Sequence, residues 1–477
     1  MPEISGEQDP RERLNLPRLQ VLLRLSAPLI ILNSTFVVIQ ITDAWMVGRL
    51  GVTALAAITI PSVLLFALVS FGYGFLAGLN ALVAHASGAR DPQSCGSLAW
   101  SALWLSGAAG VISAACLWLA SLLFFFHRAD SPALAALEGT YLRISLLSLA
   151  PTLITNALAG FFFGIQRVAP VVWASLFAVV LNVLASYGLV FGAFGLPELG
   201  LAGAAWGTVI ATTLETVLLG AYFLSGRNAR DYDTRTPKFS REFAGKLLKL
   251  GLPAGMQAAV DVLSWGALLS LLLSALGEAD LAAGGVLLRL MQFSVLPAEG
   301  VAIALLTLVG AALGAGQISR AKRFTSLAFL LNSAFMGFLG IVFYLFRTPI
   351  MMAFTNAPEV VSIGAGVMIL IAVAQWFDAM NITFLHALQG AGDTVWPSRV
   401  NIVLAVLILL CGGSAVILWM PGAKSFHIWF LATLYIAGQG VSFWLRWRSG
   451  RWIENGLAVT HRALGKSPDR SDGFELN

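Results

Sequence analysis

The chain has 477 residues, of which 58% are hydrophobic and 11% are charged, and its formal net charge at pH 7 is +5. A soluble domain carries about 25% charged residues. The composition therefore excludes an ordinary water-soluble protein and indicates an integral membrane protein.

Twelve apolar stretches are long enough to cross a bilayer as helices, because about 20 residues span its roughly 30 Å hydrocarbon core. Segments of this length exclude a β-barrel, whose spanning strands are shorter. The first stretch is also too long for a signal-peptide core, so no cleaved signal is expected. The predicted spans are 18–48, 54–86, 98–126, 137–165, 168–193, 199–226, 244–275, 281–313, 322–346, 358–388, 396–420 and 424–447.

Lys and Arg fall mostly on one side of these spans. That side receives both termini, the segment between the sixth and seventh spans and the cluster at 320–323. The other side receives only Arg49, Arg128, Arg347 and Lys424. Because cytoplasmic loops carry the excess of Lys and Arg, both termini are predicted to be cytoplasmic. Topology thus explains the basic balance, and no nucleic-acid partner is expected.

The chain contains an internal repeat. "LLRLSAP" at 22–28 returns as "LLKLGLP" at 247–253, and "ALVAHASGA" at 81–89 returns as "TLVGAALGA" at 307–315, with Gly164 matching Gly390. A unit of six spans is even, so equivalent spans cross in the same direction and the halves are predicted to be related by an axis along the membrane normal. The predicted fold is an all-α polytopic membrane protein of two six-helix lobes.

The repeat divides the chain into five predicted segments. They are a cytoplasmic tail at 1–17, a first lobe at 18–226, a polar linker at 227–243, a second lobe at 244–447 and a cytoplasmic tail at 448–477. Parallel repeats are a plan of secondary transporters, whose substrate site lies between the halves. The linker is predicted to be a loop that acts as a hinge tether.

Neither a nucleotide-binding cradle nor a catalytic constellation is found. No GxxxxGK[ST] motif and no HExxH motif occurs, and the loops are too short to house an ATPase domain. We therefore expect a protein that is not an enzyme, holds no cofactor or resident metal, and takes its energy from an ion gradient or an external partner.

Five acids lie well inside predicted spans. At mid-membrane each costs on the order of 3 kcal/mol on insertion scales, so intramembrane acids mark candidate functional sites. A carboxylate that binds a proton or coordinates Na⁺ is a common means of coupling an ion to a conformational change. The five are Asp43, Glu215, Asp261, Glu299 and Asp378.

Several stretches together resemble multidrug and toxic compound extrusion (MATE) transporters over roughly residues 20–445. They are "TDAWMVGRLG", "LLKLGLPAGMQAAVD", "LVGAALGAG", "FGLPELGLAGAAWGT" and "FDAMNITFLHALQGAGDT", which follow one another at the matching spans. The resemblance implies a bacterial inner-membrane transporter of the NorM or DinF type, with small drugs or toxins as substrates. It also implies H⁺, or alternatively Na⁺, as the coupling ion, and we expect a monomer.

The resemblance also implies an ion-coupling set. Asp43 matches the family's first-helix acid, Asn182 a fifth-helix Asn and Thr208 a sixth-helix Thr. Asp261 matches the seventh-helix acid and Asp378 the tenth-helix Asp. Ser186 replaces a stronger ligand, and Gln375 follows Ala374 where Na⁺-coupled members carry a Tyr one turn before the tenth-helix Asp. These departures favour H⁺ over Na⁺ at either Asp43 or the Asp261/Asp378 group.

Each candidate also has a purely structural interpretation. Asp43 can be a helix-end residue near Arg49, and Asp261 and Asp378 can form interhelical hydrogen bonds. Glu215 matches no family position, whereas Glu299 falls where the DinF-like branch carries an eighth-helix acid. His386 is either a packing residue or a proton relay two turns beyond Asp378.

The predicted function is export of amphipathic, mainly cationic compounds by ion-coupled antiport and alternating access. The alternative is a flippase for lipid-linked precursors or polysaccharides of the same wider superfamily. Cavities for pyrophosphate are rich in Arg and Lys, whereas the cations inside the predicted spans are limited to Arg24, Arg143 and Arg289 near span ends. This scarcity favours the drug exporter.

Overall fold

The computed structural model describes residues 16–126 and 132–454. The predicted N-terminal tail lies outside this part of the chain except at its last residues, and so does the predicted C-terminal tail from residue 455 onward. Arg128, which was assigned to the less basic side, also lies outside the described residues.

Twelve helices within the described ranges are long and apolar enough to cross a membrane, which confirms the predicted spans. Pro28 in α1 and Pro253 in α7 occupy equivalent positions of the repeat. The helices are α1 Leu16–Arg49, α2 Val52–Gly88, α3 Pro92–Phe126, α4 Pro132–Ser145 and Leu149–Gly164 joined by the 3₁₀ turn Leu146–Ser148, α5 Ala169–Phe191, α6 Leu201–Phe223, α7 Arg241–Ala267 with the π-helical turn Leu268–Leu273, α8 Glu278–Gly314, α9 Ile318–Leu345, α10 Pro358–Gly390, α11 Val395–Leu404 and Gly413–Trp419 joined by the π-helical Ala405–Gly412, and α12 Ser425–Arg448.

The two lobes, α1–α6 and α7–α12, meet through two equivalent helix pairs. In one pair α2 packs against α7, and in the other α1 packs against α8. A Cβ added at Gly74 would lie 2.4 Å from the Ala254 carbonyl oxygen, and one at Gly300 would lie 2.8 Å from the Ile30 backbone nitrogen. Since Gly74 and Gly300 are separated by the repeat offset, the pseudo-two-fold relation extends to the backbone contacts between the lobes.

The apolar core is shared between lobes at one end only. One buried cluster includes Leu22 and Leu76 of the first lobe with Leu250 and Leu305 of the second. Further clusters each belong to a single lobe, one around Val47 and the others in the second lobe. The lobes thus form one packed body on the side of the linker, and each has its own core toward the opposite side.

Buried hydrogen bonds reinforce the shared end. The Thr307 hydroxyl donates to Asn80 Oδ1 at 3.0 Å, and His85 Nε2 donates to the Gly390 carbonyl at 2.9 Å. Asn33 Nδ2 donates to the Leu296 carbonyl at 3.3 Å. Asn33 and Leu296 lie at the middle of α1 and α8, whereas the other contacts lie in the halves of α2, α8 and α10 nearest the linker. The lobes are therefore joined from the linker side to the middle of the helices.

The linker differs from the predicted loop. Gly226–Tyr232 forms a short helix, and α7 already begins at Arg241. Thr234 is buried: its hydroxyl donates to the Phe223 carbonyl at 2.7 Å, and its own carbonyl accepts from Trp100 Nε1 at 2.9 Å. Residues 226–232 are thus helical rather than a loop, and Thr234 is anchored to the first lobe; a hinge role for the segment stays a prediction.

Hydrogen bonds within the linker order it further. The Thr236 hydroxyl and the Lys238 ammonium both donate to the Asp233 carboxylate. These hydrogen bonds lower the pKa of Asp233, because they stabilise its ionised form. A polar composition identified the linker, but it did not reveal these local contacts.

Equivalent turns of the two lobes carry opposite charges. Arg167, between α4 and α5, pairs with Asp231 of the linker helix, with 3.0 Å between Nη2 and Oδ2. Asp393, between α10 and α11, pairs with Arg446 of α12, with 2.8 Å between Oδ2 and Nε. Residues 167 and 393 are related by the same offset as Gly164 and Gly390. Each duplicated turn is therefore joined to another element by an ion pair, with the charges reversed between the lobes.

We expect Gly74→Ala to lower thermal stability, because its Cβ would lie 2.4 Å from a backbone carbonyl of α7. Overpacking of this kind costs about 1–3 kcal/mol. Gly220→Ala is the matched control, since a Cβ there meets nothing within 4 Å and helix propensity favours Ala by about 1 kcal/mol. Thermal unfolding of both variants in detergent measures the difference; equal midpoints would refute the close approach.

Candidate functional site

The first lobe holds a polar cluster in its half farthest from the linker. Asn182 of α5 is buried, and its amide nitrogen lies 3.4 Å from the Thr208 hydroxyl oxygen of α6. Ser186, one turn after Asn182, is buried against Gly207, where an added Cβ would lie 2.1 Å from Ser186 Oγ. The structure therefore brings three of the predicted residues together at the α5–α6 contact.

Asp43 lies six residues before the end of α1. Its Oδ1 atom is buried and has no hydrogen-bond partner among the described residues. The Asn182 Oδ1 and Ser186 Oγ atoms are also buried without a partner there. Burial of an unpaired acceptor is costly, so these oxygens form a set suited to a proton or a small cation.

Tyr141 of α4 belongs to the same region and was missed from the sequence. It is close enough to Asp43 to interact with it electrostatically. Its ring packs against the buried cluster around Val47. The available signal was a hydroxyl-bearing residue inside an apolar span, but only the fold shows that α4 places it near Asp43.

Glu215 has a different environment. It accepts a hydrogen bond from the Ser175 hydroxyl, which joins α6 to α5. The next residue, Thr216, contacts the Thr155 hydroxyl of α4 at 2.8 Å. This part of α6 thus forms interhelical hydrogen bonds, in agreement with the structural interpretation of Glu215.

In the second lobe Asp261 lies at one end of a hydrogen-bonded chain. The Tyr435 hydroxyl of α12 donates to Asp261 Oδ1 at 2.8 Å and accepts from Asn401 Nδ2 of α11 at 3.3 Å. The chain joins three helices, and both Tyr435 and Asn401 are buried. Neither residue was predicted, because their contacts with Asp261 are remote in sequence.

Asp378 lies in a second chain on α10. Asn381 Nδ2 is 3.4 Å from Asp378 Oδ1 and 3.3 Å from Gln439 Oε1 of α12. Gln375, one turn before Asp378, is fully buried, and neither of its amide atoms has a partner among the described residues. The second lobe therefore combines satisfied carboxylates with unpaired amides.

Glu299 and His386 form a pair between α8 and α10. His386 Nε2 lies 3.2 Å from Glu299 Oε1, and His386 Nδ1 lies 2.9 Å from the Ile382 carbonyl. Glu299 interacts electrostatically with both Asp261 and Asp378. The pair thus adjoins the acids of the second lobe, and His386 has polar contacts at both ring nitrogens.

The predicted ion-coupling residues fall into two separate groups. Asn182 and Thr208 contact each other in the first lobe, with Ser186 one turn after Asn182, and Asp43 lies in the first helix of the same lobe, while Asp261, Asp378, Glu299 and His386 belong to the second. Within the described ranges, no group of three or more His, Cys, Asp or Glu side chains is arranged to hold a metal ion. The chemistry available is uptake and release of a small cation by carboxylate and amide oxygens.

Twelve membrane helices in two equivalent lobes, each with polar groups in its interior, define a transporter of the parallel-repeat class. The MatE family model matches residues 28–187 and 257–412. The chain belongs to the MatE family and is a NorM-like member of it.

Relatives and solved structures agree with this assignment. The "Probable multidrug resistance protein NorM" of Rhizobium meliloti is 30% identical over 392 residues, 79% of this chain and 81% of that protein. The protein of the same name from Pseudomonas putida is 28% identical and covers 94% of this chain and 98% of its own length. The crystal structure of the eukaryotic MATE transporter AtDTX14 superposes with a TM-score of 0.81 at 20% identity, covering 94% of this chain and 99% of that chain.

We expect Tyr435→Phe to lower the stability of the second lobe, because it removes the hydroxyl that bridges Asp261 and Asn401. Leaving buried polar partners unpaired costs about 1–3 kcal/mol. Thermal unfolding in detergent measures the loss. Tyr187→Phe, in a side chain 39% exposed on α5, is the control; if both variants unfold at the same temperature, the bridge contributes nothing.

Proposed function

We propose that the protein is a multidrug efflux antiporter, which exports amphipathic, mainly cationic organic compounds in exchange for H⁺. The observation that carries the proposal is Asp43 Oδ1, a buried carboxylate oxygen without a hydrogen-bond partner among the described residues. An acid kept in this environment binds an ion more readily than it stabilises a fold. Family membership and the names of the relatives support the same function.

The geometry supports alternating access. The lobes share a core on the linker side, where polar contacts join α2 to α8 and α10. With the linker cytoplasmic, as the Lys and Arg distribution predicts, this state is closed to the cytoplasm. Export then requires rocking of the lobes about the α1–α8 and α2–α7 contacts, with both termini remaining cytoplasmic in the bacterial inner membrane and the monomer as the working unit.

The proposed cycle uses the charge on Asp43. Ionised Asp43 favours a cationic compound in the space between the lobes, and protonation from outside removes that attraction and releases it. Each elementary charge moved across 100 mV supplies about 2.3 kcal/mol, enough for a roughly fiftyfold concentration ratio. For a neutral compound one proton is sufficient, whereas for a monovalent cation the first proton only balances the charge that leaves, and a second is needed before the membrane potential contributes.

The choice of H⁺ over Na⁺ rests on the oxygen ligands that the first lobe offers to a cation. Ser186 offers a hydroxyl in place of a carboxylate or amide, and the Thr208 hydroxyl oxygen already accepts from Asn182 Nδ2 at 3.4 Å. Na⁺ requires several oxygen ligands at once, whereas a proton needs only one carboxylate. Asp43 with few strong neighbouring ligands fits the proton better.

The flippase alternative requires cations in the space between lobes. Arg143 instead lines a groove formed by α3 and α4 of the first lobe alone, with Trp118 and Leu147. A polyanionic pyrophosphate would therefore not meet this guanidinium between the lobes. Binding of undecaprenyl pyrophosphate in preference to organic cations would support the flippase over the drug exporter.

We expect Asp43→Asn to reduce proton-driven transport at least about tenfold, because an amide takes up no proton under these conditions. The assay is ethidium transport in proteoliposomes with an imposed pH gradient, or with a Na⁺ gradient at constant pH. Glu198→Gln, an exposed acid in the loop between α5 and α6, is the matched control. Wild-type transport that ignores both gradients and is unaffected by Asp43→Asn would refute the antiporter.

A further inference from the structure

We infer that Glu299 and His386 together form a proton-binding site in the second lobe, whose single shared proton is exchanged for a cationic compound between the lobes. The inference rests on the proposed antiport and assigns one coupling proton to a particular pair of atoms. It adds a site distinct from Asp43 and from the hydrogen-bonded chains of Asp261 and Asp378.

The hydrogen bonds fix the number of protons. The Ile382 carbonyl can only accept, so His386 Nδ1, at 2.9 Å, must carry a hydrogen. The 3.2 Å contact between His386 Nε2 and Glu299 Oε1 then needs one more proton, held by either partner. Without it, a nitrogen lone pair would face a carboxylate lone pair. The pair thus holds one proton between Nε2 and Oε1, in addition to the hydrogen on Nδ1.

The pair joins a buried side to an accessible side. The His386 side chain is 10% exposed and the Glu299 side chain 31% exposed. Tyr73 of α2, in the opposite lobe, is 44% exposed and interacts electrostatically with Glu299. Glu299 and Tyr73 are thus partly exposed side chains of different lobes that are close enough to interact electrostatically. Glu299 therefore gives the shared proton a route to water.

The negative charge left on the pair by proton loss favours binding of a cation, and a bound cation in turn favours proton loss. The titratable groups that interact electrostatically with Glu299 are Tyr73 on α2, Asp261 on α7, and Asp378 and His386 on α10. With the proton the pair is neutral overall, and without it the pair carries one negative charge beside two acids. Release of the proton to water thus creates a site for an organic cation, and return of the proton displaces that cation.

The other helices packed against α8 bring their charges elsewhere. On α1 the nearest charged residue to the Ile30–Gly300 contact is Arg24, six residues or roughly 9 Å along the axis. The cations of α9 are confined to its first turns, at Arg320, Lys322 and Arg323. On α2, His85 donates to Gly390 rather than facing Glu299. Proton exchange at the pair is therefore governed by the acids of the second lobe.

The test measures protons released when ethidium binds to the solubilised full chain in weakly buffered solution. Glu299→Gln preserves the shape of the side chain. Its amide can donate a hydrogen bond to His386 Nε2, but it has no proton that is released near neutral pH. We expect this variant and His386→Gln to bind ethidium but to release one proton fewer per ethidium than the wild type. Glu359→Gln, an exposed acid at the start of α10, should release as many as the wild type.

Equal proton release by Glu299→Gln, His386→Gln and the wild type would overturn the inference. If these variants fail to fold or bind, ¹⁵N spectra of the wild-type histidines between about pH 5 and pH 9 provide the second measurement. A His386 signal that gains or loses its Nε2 proton with Glu299 present supports the pair. A signal with hydrogen fixed on Nε2 and none on Nδ1 overturns it.

The two hypotheses fail differently. If wild-type transport ignores imposed gradients, the antiport is refuted, yet the histidine spectra still report whether the pair shares a proton. If transport is proton-driven and sensitive to Asp43→Asn while proton release is unchanged in Glu299→Gln, the antiport stands and the pair is not its proton site.

Discussion

The close approach of α1 and α2 to α7 and α8 is the constraint on which the rest of the molecule depends. Gly74 and Gly300, at equivalent places in the repeat, allow backbones of opposite lobes to touch. In a bilayer, where lipid is as apolar as a leucine side chain, such close packing and buried hydrogen bonds hold helices together. The pairs Thr307–Asn80 and His85–Gly390 add those hydrogen bonds at the same end. Motion of one lobe against the other must preserve or break these few contacts.

The duplicated lobes differ most in how they treat their buried polar groups. In the first lobe Asp43, Asn182 and Ser186 each keep an oxygen unpaired among the described residues. In the second lobe Asp261 and Asp378 are held by Tyr435 and Asn381. The second lobe also keeps unpaired amide oxygens, at Gln375, Asn381 and Asn401. The lobes therefore differ in the pairing of their acids: Asp43 Oδ1 has no partner among the described residues, whereas an oxygen of Asp261 and one of Asp378 each accept a hydrogen bond.

The sequence predicted the twelve spans, the repeat and most of the polar candidates, because bilayer thickness and apolar length dictate spans directly. It failed where the outcome depended on contacts remote in the chain. Tyr141, Asn401 and Tyr435 are polar residues inside apolar spans, but the sequence does not show that α4, α11 and α12 bring them to the acids. Polarity suggested a free linker, yet Thr234 is buried against the first lobe, since composition does not distinguish a solvated segment from a docked one.

The inverted ion pairs Arg167–Asp231 and Asp393–Arg446 bear on the history of the chain. Reversal of the charge at one turn leaves a repelling partner unless that partner changes as well, and here the partners lie in different elements, the linker helix and α12. Because Asp231 and Arg446 do not occupy equivalent positions of the repeat, each half has its own partner for the turn. A turn transplanted from one half into the other would bring like charges together, so the halves are descendants of one unit that can no longer exchange parts.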